Sequence, residues 1–228
     1  MIPPSVERAA SPRAAGPGSS TWQYTDMPIV PDKRIIFVHI PKTGGNSIEK
    51  MLGFDPPDPD PPRLRGDDTH RFARKRGSLH HLTYRQIIRR NGIDPADWFA
   101  FAFVRNPWDR MVSEWRWRIE RPQNRSMTLA DVIERARRSC RRIRPWRKDD
   151  HFLPQTAFLS PQLDFVGRFE NFQDDVEKLR QRLKIEAPLP HTNRSRRDAD
   201  YRQYYDRHTR AAVERLYRRD IEQLGYRF

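Results

Sequence analysis

The amino-acid sequence predicts one α/β domain built on a central, mainly parallel sheet that is flanked by helices. Short β-branched and aromatic runs alternate along the chain with segments of helical periodicity, which is typical of a parallel sheet covered on both faces. The length of 228 residues suits one such domain. Six Trp, twelve Phe and seven Tyr supply large side chains for its core.

The beginning of the chain differs from the rest in composition. Residues 1–33 are rich in Pro, Ala, Gly and Ser, so we expect a flexible arm there and a folded domain over 34–228. The domain opens with KRIIFVHI, a run suited to a buried parallel strand. A turn with the sequence PKTGG follows, and helical character is found over 46–52. Five prolines within 55–62 favour an extended surface loop after that helix.

The middle of the chain repeats the order of helix and strand. A short helix is predicted over Tyr84–Arg90, with a stop signal at Asn91–Gly92. A second buried strand is predicted over Trp98–Val104, and Pro107 is well placed to open the next helix. That helix carries an apolar stripe with helical spacing, formed by Trp108, Met111, Val112, Trp115 and Ile119.

The last third of the chain completes the alternation. A helix with Thr128 as its N-cap is predicted to run to about Arg142. A third strand is predicted over 163–170, and a helix over 172–185. One amphipathic helix with a stop signal at Gly225 is predicted for 209–226.

Charge and cysteine content restrict the possible functions. The formal charge of +14 indicates an anionic partner, without choosing among nucleic acid, anionic polymer, phosphorylated cofactor and membrane surface. Cys140 is the single cysteine, which excludes an intrachain disulfide and a cysteine metal cluster. The longest apolar runs are far shorter than the roughly 20 residues that span a bilayer, so no transmembrane segment is expected. The N-terminus lacks the apolar region of a secretory signal, and we expect a cytoplasmic protein.

The turn PKTGG lies between a strand and a helix, a geometry in which backbone N–H groups hold a phosphate. Gly44 and Gly45 carry no Cβ and allow a ligand to approach the backbone closely. Short donors and one cation surround them: Thr43, Asn46, Ser47 and Lys42. The motif differs from the P-loop of NTPases because its lysine precedes the glycines. A tight turn without a ligand is the alternative interpretation.

The second motif, RNPWDRMVSEW, follows the second predicted strand. Arg105 stands at the carboxyl end of that strand, where open α/β sheets bind ligands, and its guanidinium suits a phosphate. Ser113 follows eight residues later, a little over two helical turns. An ion pair between Arg105 and Asp109, with a solvated Ser113, is the alternative. Two anion-binding elements on adjacent strands predict a ligand with separated phosphates.

The segments IPKTGGNS and FAFVRNPWDRMVSEW resemble the sulfotransferases that use 3′-phosphoadenosine 5′-phosphosulfate (PAPS), and most closely the type-2 group of carbohydrate O-sulfotransferases. The likeness continues in FVGRFENFQDDVEKL and YRRDIEQLGY. It implies a P-loop-like sulfotransferase domain that moves the sulfuryl group of PAPS to a hydroxyl acceptor, with no metal required. The resemblance assigns the 5′ end of PAPS to Lys42, Thr43, Gly44, Gly45, Asn46 and Ser47. It assigns the 3′-phosphate to Arg105 and Ser113, and a further nucleotide contact in a late basic loop to Ser195 and Arg196.

Sulfuryl transfer to a hydroxyl requires a cation near the leaving oxygen and a base that takes the proton of the acceptor. Lys42 is the expected cation. In the resembling family a histidine ahead of a short helix is the general base, and this position aligns with His81, with His80 as the second choice. The alternative is a surface histidine pair that caps the helix. His39 is expected to pack in the core or line the site, and the remaining histidines lack a comparable context: His70, His151, His191 and His208.

The acceptor is less well specified than the donor. Eight Lys or Arg lie between Arg135 and Lys148, and they form either a solvated face or a track for an acidic saccharide. Glu170 and Asn171 either orient the site or pack. A P-loop-type nucleotide kinase is the alternative function, but the sequence has neither the lysine after the glycines nor a convincing magnesium carboxylate. A nucleic-acid-binding protein would leave Lys42 and Arg105 without a purpose, so no nucleic-acid partner is expected.

Overall fold

The computed structural model describes residues 29–53, 81–140, 149–187 and 200–228. In these ranges the chain forms four β-strands: β1 Ile29–Val30, β2 Ile35–Val38, β3 Phe99–Val104 and β4 Phe165–Arg168. Seven α-helices lie in the same ranges: α1 Gly45–Met51, α2 Tyr84–Asn91, α3 Pro107–Ile119, α4 Leu129–Cys140, α5 Phe172–Leu183, α6 Arg207–Leu216 and α7 Arg218–Leu224. Several predicted features lie outside the described residues: the arm up to residue 28, the loop 55–62, His80, Ser195 and Arg196.

The four strands form one sheet in the order β1-β2-β3-β4. The three longer strands are parallel, with Phe37 opposite Phe101 and Phe101 opposite Phe165. The predicted mainly parallel sheet is therefore confirmed. The edge strand β1 pairs antiparallel with β2, and it lies within the predicted arm 1–33. A strand of two residues is too short to show a periodic pattern, so no sequence signal indicated β1.

Both faces of the sheet are covered. Side chains alternate along each strand, so Phe37, Phe101 and Phe103 pack on one face against α1 and α5. The opposite face carries Val38 and Ala102, which pack against α2 and the end of the chain. A third cluster joins α3 to α4 and α6 beside the sheet. This burial explains the near-continuous apolar runs of β2 and β3.

The helix ends follow local signals, with one exception. Gly92 ends α2 in the left-handed conformation, and the hydroxyl of Thr128 accepts a hydrogen bond from the Asp131 N–H at the start of α4. The single helix predicted over 209–226 is wrong: the chain forms α6 and α7, separated at Tyr217. Tyr217 is buried and its hydroxyl donates to the carbonyl of Phe152 at 3.1 Å, so a tertiary contact fixes the break. No helix among the described residues is both long and apolar enough to cross a membrane.

Candidate active site

The residues of both motifs follow the carboxyl ends of neighbouring parallel strands. His39 to Lys42 continue from β2, and Arg105 continues from β3. Because parallel strands place their carboxyl ends at one edge of the sheet, the two motifs meet there. The first motif then enters α1, and the second enters α3 at Pro107.

The loop between β2 and α1 is a tight turn with two left-handed residues. Lys42 has φ 69° and Gly44 has φ 91°. A left-handed lysine is uncommon and costs conformational energy, which is a property that functional loops often show. The hydroxyl of Thr43 is fully buried and donates to the carbonyl of Ile40 at 2.8 Å. Thr43 therefore braces the loop with its side chain.

Packing requires both glycines of the loop. A Cβ on Gly45 would lie 2.0 Å from Nε2 of His39, which is a severe overlap. A Cβ on Gly44 would lie 2.6 Å from the ring of Phe172. The backbone of the turn therefore lies directly on two rings, and it has room for a ligand only on its other side. Of the two polar residues that follow in α1, Asn46 is exposed and Ser47 is buried.

Lys42 occupies a partly buried position among aromatic and charged side chains. Its Nζ lies 5.0 Å from the centre of the Trp117 ring. Burial lowers the pKa of Lys42 from 10.5 to about 8, and the nearby carboxylate of Glu114 opposes this shift. An ammonium group with few water contacts interacts strongly with an anion that replaces those contacts.

Arg105 connects the two motifs. Its Nη1 donates to the carbonyl oxygen of Lys42 at 3.0 Å, and its Nε donates to Oδ2 of Asp109 at 2.7 Å. The guanidinium also lies 3.8 Å above the ring of Phe169. The side chain of Gln155 donates to the carbonyl of Arg105 and accepts from its N–H. The ion pair with Asp109, which the sequence left as the alternative, is present, and the assignment of Arg105 to a phosphate stays a prediction.

Arg110 is a buried residue that sequence reasoning missed. Its Nε donates to the carbonyl of Pro41, next to Lys42, at 3.0 Å. Its Nη1 and Nη2 donate to the carbonyls of Leu153 and His151 at 3.0 and 2.9 Å. One guanidinium thus ties the first motif to the segment that carries His151. Each arginine of the second motif therefore holds a backbone carbonyl of the first.

Three histidines lie in a row beside Lys42. The ring centres of His39 and His81 are 4.7 Å apart, and those of His81 and His151 are 5.1 Å apart. His151 also stacks on Trp117, with the ring centres 4.9 Å apart. His81, the predicted base, thus lies in the middle of the row. His39 is buried beneath the backbone of Gly45. His151 showed no signal in the sequence.

Two buried glutamates hold the outer histidines. Nδ1 of His39 is 2.6 Å from Oε1 of Glu49, and Nδ1 of His151 is 2.9 Å from Oε2 of Glu114. Burial by itself would raise the pKa of Glu114, but the hydrogen bond from His151 and the charges of Arg118 and Lys42 lower it to about 2. Glu114 is therefore an ionised carboxylate inside the site. Glu114 also pairs with Arg118 at the helical spacing of four residues, which is a sequence signal for Glu114 but not for His151.

Two further residues that the sequence singled out, Ser113 and Glu170, lie on or next to α3. Ser113 lies on α3, partly buried, two turns after Arg105. Glu170 accepts from the N–H of Asn106 and from the hydroxyl of Tyr226, so it braces the start of α3. Among the described residues, no three His, Cys, Asp or Glu side chains are grouped as ligands for a metal ion.

The site therefore combines a glycine turn, a desolvated lysine, two buried arginines and a row of histidines at the carboxyl edge of a parallel sheet. No curated protein and no solved structure matches this chain. A family model with the description Sulfotransferase family matches residues 25–227. Because that match includes every element of the sheet and both motifs, the chain belongs to the sulfotransferase family.

Proposed function

We propose that this sulfotransferase moves the sulfuryl group of PAPS to a hydroxyl of a saccharide acceptor. The observation that carries the proposal is the hydrogen bond from Arg105 to the carbonyl of Lys42. This hydrogen bond joins the two motifs into one site. The residue types of each motif suit one of two separate anionic groups. A donor nucleotide with a phosphosulfate at one end and a phosphate at the other requires such a pair.

The residues present fit such a donor. The missing side chains of Gly44 and Gly45 let the turn lie on the rings of Phe172 and His39, and the backbone N–H groups can contact an oxyanion from the opposite side. Lys42, Asn46 and Ser47 add a cation and two polar side chains at the same end, with the backbone of Thr43. We assign the 3′-phosphate to Arg105 and Ser113. The proposed contacts with Ser195 and Arg196 concern residues outside the described ranges.

In the transfer, the protein positions the two reactants, stabilises the developing charge and accepts a proton. When bound, PAPS supplies a sulfur that bonds to the acceptor oxygen while its bond to the nucleotide phosphate oxygen breaks, which leaves adenosine 3′,5′-bisphosphate. Lys42 would stabilise negative charge on that leaving oxygen, as cations do in phosphoryl transfer. A histidine of the row would take the proton of the acceptor hydroxyl, and His81 is the histidine that the sequence predicts for this role. No metal ion is required in this proposal.

The surroundings of Lys42 support a saccharide that carries negative charge. The exposed Arg121 stacks on Trp117, with its guanidinium carbon 4.0 Å from the ring centre. An exposed guanidinium at this position offers positive charge to an acidic sugar. This part of the site lies beside Lys42, where the acceptor hydroxyl has to arrive.

A thermal-shift titration tests the donor. Adenosine 3′,5′-bisphosphate with EDTA should raise the melting temperature, because a ligand that binds the native state stabilises it. ATP with magnesium and a duplex oligonucleotide serve as the comparison ligands for a kinase and for a nucleic-acid binder. Stabilisation by either of these, with no shift from the bisphosphate at millimolar concentration, would contradict the proposal.

A transfer assay tests the acceptor. Sulfur-labelled PAPS is incubated with unsulfated chondroitin, which carries uronates, and with maltoheptaose as a neutral saccharide of similar hydroxyl content. We expect label in the saccharide fraction, with more in chondroitin. Label in neither saccharide, from an enzyme that binds the bisphosphate, would mean that the acceptor is not a saccharide.

A further inference from the structure

His151 is held by its ring, its backbone and its stacking partner. Glu114 contacts Nδ1 of the ring at 2.9 Å, and Arg110 donates to its carbonyl oxygen at 2.9 Å. Trp117 covers one face of the ring. The side chain of His151 keeps 18% of its surface exposed, whereas that of Glu114 keeps 2%. The protein thus fixes the ring of His151 on one side, and the other side of the ring is accessible to solvent.

The partners of the three histidines determine which ring nitrogen carries hydrogen. An ionised carboxylate and a carbonyl oxygen can only accept hydrogen bonds, so the nitrogen facing them is the donor. Nδ1 of His151 faces Glu114, and Nδ1 of His81 faces the carbonyl of His39 at 3.2 Å. With Nδ1 as the donor, Nε2 is the nitrogen of His151 that can take a proton.

The same assignment gives His39 a different role. Its Nδ1 faces Glu49, but its ring is buried, and Nε2 lies beneath the backbone of Gly45. An acceptor hydroxyl therefore does not reach it while the turn keeps this position. Two of the three histidines, His81 and His151, remain as candidates for proton transfer.

Of these two, His151 has a buried carboxylate at Nδ1. A carboxylate in this position fixes the tautomer and the orientation of the ring. In the Ser-His-Asp triad a carboxylate orients the imidazole that acts as general base for a hydroxyl in the same way. The contacts of His151 therefore equip it to act as a base, although no sequence motif pointed to it.

We propose that His151, held by Glu114, is a general base of the transfer reaction. The proton of the acceptor hydroxyl passes to Nε2 of His151 as the acceptor oxygen bonds to sulfur and the sulfur–phosphate oxygen bond breaks. The products are the sulfate ester and adenosine 3′,5′-bisphosphate, and the proton then leaves to solvent. The assignment rests on the proposed function, and His81 contributes beside it.

The test compares matched histidine variants in the labelled PAPS assay with unsulfated chondroitin. His151→Asn is the main variant, because its amide can still donate to Glu114 but it has no basic nitrogen. We expect kcat to fall about 100-fold, the usual contribution of a general base, with the KM for PAPS and the affinity for the bisphosphate unchanged within threefold. His208→Asn on the exposed surface of α6 is the matched control and should change nothing.

Two further measurements separate proton transfer from a packing role. Added imidazole should restore part of kcat to His151→Ala and none to the asparagine variant, because only the alanine variant leaves space for a replacement base. Glu114→Gln should reduce kcat at least tenfold while bisphosphate binding persists. Wild-type kcat in His151→Asn, or a loss in His151→Ala that imidazole does not restore, overturns the assignment. An inactive wild-type enzyme would overturn the proposed function itself, so the two failures are distinguishable.

Discussion

Nη1 of Arg105 donates a hydrogen bond of 3.0 Å to the carbonyl oxygen of Lys42, which joins two motifs that lie 63 residues apart in sequence. The bond fixes the backbone of Lys42, which has a left-handed conformation and whose side chain is the proposed cation. Arg110 makes the equivalent contact to the carbonyl of Pro41. The second motif therefore shapes the first motif, in addition to any contact it makes with a ligand.

Replacing Arg105 should affect both stability and ligand binding. Arg105→Ala leaves Asp109 buried without its cation, and loss of one partner of a buried pair costs about 3–5 kcal/mol. Urea unfolding measures this loss. Calorimetry should also show an affinity for adenosine 3′,5′-bisphosphate at least tenfold lower. Arg180→Ala, in a more exposed pair on α5, is the control for both measurements. An Arg105 variant that binds the bisphosphate normally would refute the phosphate assignment.

The pKa of Lys42 predicts how donor binding depends on pH. Burial lowers this pKa to about 8, so Lys42 loses its charge as the pH rises through 8, well below the ordinary 10.5. Affinity for the bisphosphate should therefore fall between pH 7.5 and 9.5, approaching tenfold per unit at the upper end. Lys42→Arg should flatten this decline, because arginine stays charged. A wild-type affinity that is constant up to pH 9.5 would show that Lys42 does not contact the ligand as a cation.

The lowered pKa of Lys42 also affects how the free energy of unfolding depends on pH. Between pH 8 and 10.5 the unfolded chain binds more protons at Lys42 than the native protein does. The contribution of this group to stability therefore increases as the pH rises through that window and is lost as the pH falls through about 8.

The contact between Gly45 and His39 predicts strong coupling between two substitutions. Gly45→Ala introduces a Cβ 2.0 Å from Nε2 of His39, and overpacking of this kind costs about 1–3 kcal/mol. In a His39→Ala background the same change should cost much less, with a coupling energy of about 0.5–3 kcal/mol in urea unfolding. Gly92→Ala is the control, because a Cβ there meets no atom within 4 Å and its cost comes from positive φ alone. Additive effects of the Gly45 and His39 changes would contradict the close approach.

Glu114 should control stability in acid. Its pKa is lowered from 4.5 to about 2, so the unfolded chain binds more protons at this group between these values. The stabilisation is present above pH 4.5 and is lost as the pH falls through about 2. Urea midpoints at pH 5.5, 4 and 3 should decline less steeply in Glu114→Gln than in wild type. Glu214→Gln, exposed on α6, should retain the wild-type slope. Equal slopes in all three proteins would argue against an ionised, ion-paired Glu114.

Local sequence signals located most of the elements, because they act within a few residues. Gly92 and Gly225 end helices where their freedom at positive φ is needed, and Asn106 with Pro107 begins α3. The break at Tyr217 was not predictable in this way. It depends on a hydrogen bond to Phe152, 65 residues away in sequence.

The same distinction between local signals and long-range contacts applies to the candidate site. The sequence by itself determined the α/β class, the two motifs of the candidate site and their position after two buried strands, because periodicity and glycine spacing are local properties. The tertiary structure alone decided that Arg105 and Arg110 hold the backbone of the first motif. It also brought His151 beside His81 and gave it a buried carboxylate partner. Ion pairs and ring contacts of this kind join residues tens of positions apart, and only the packed chain determines which of them meet.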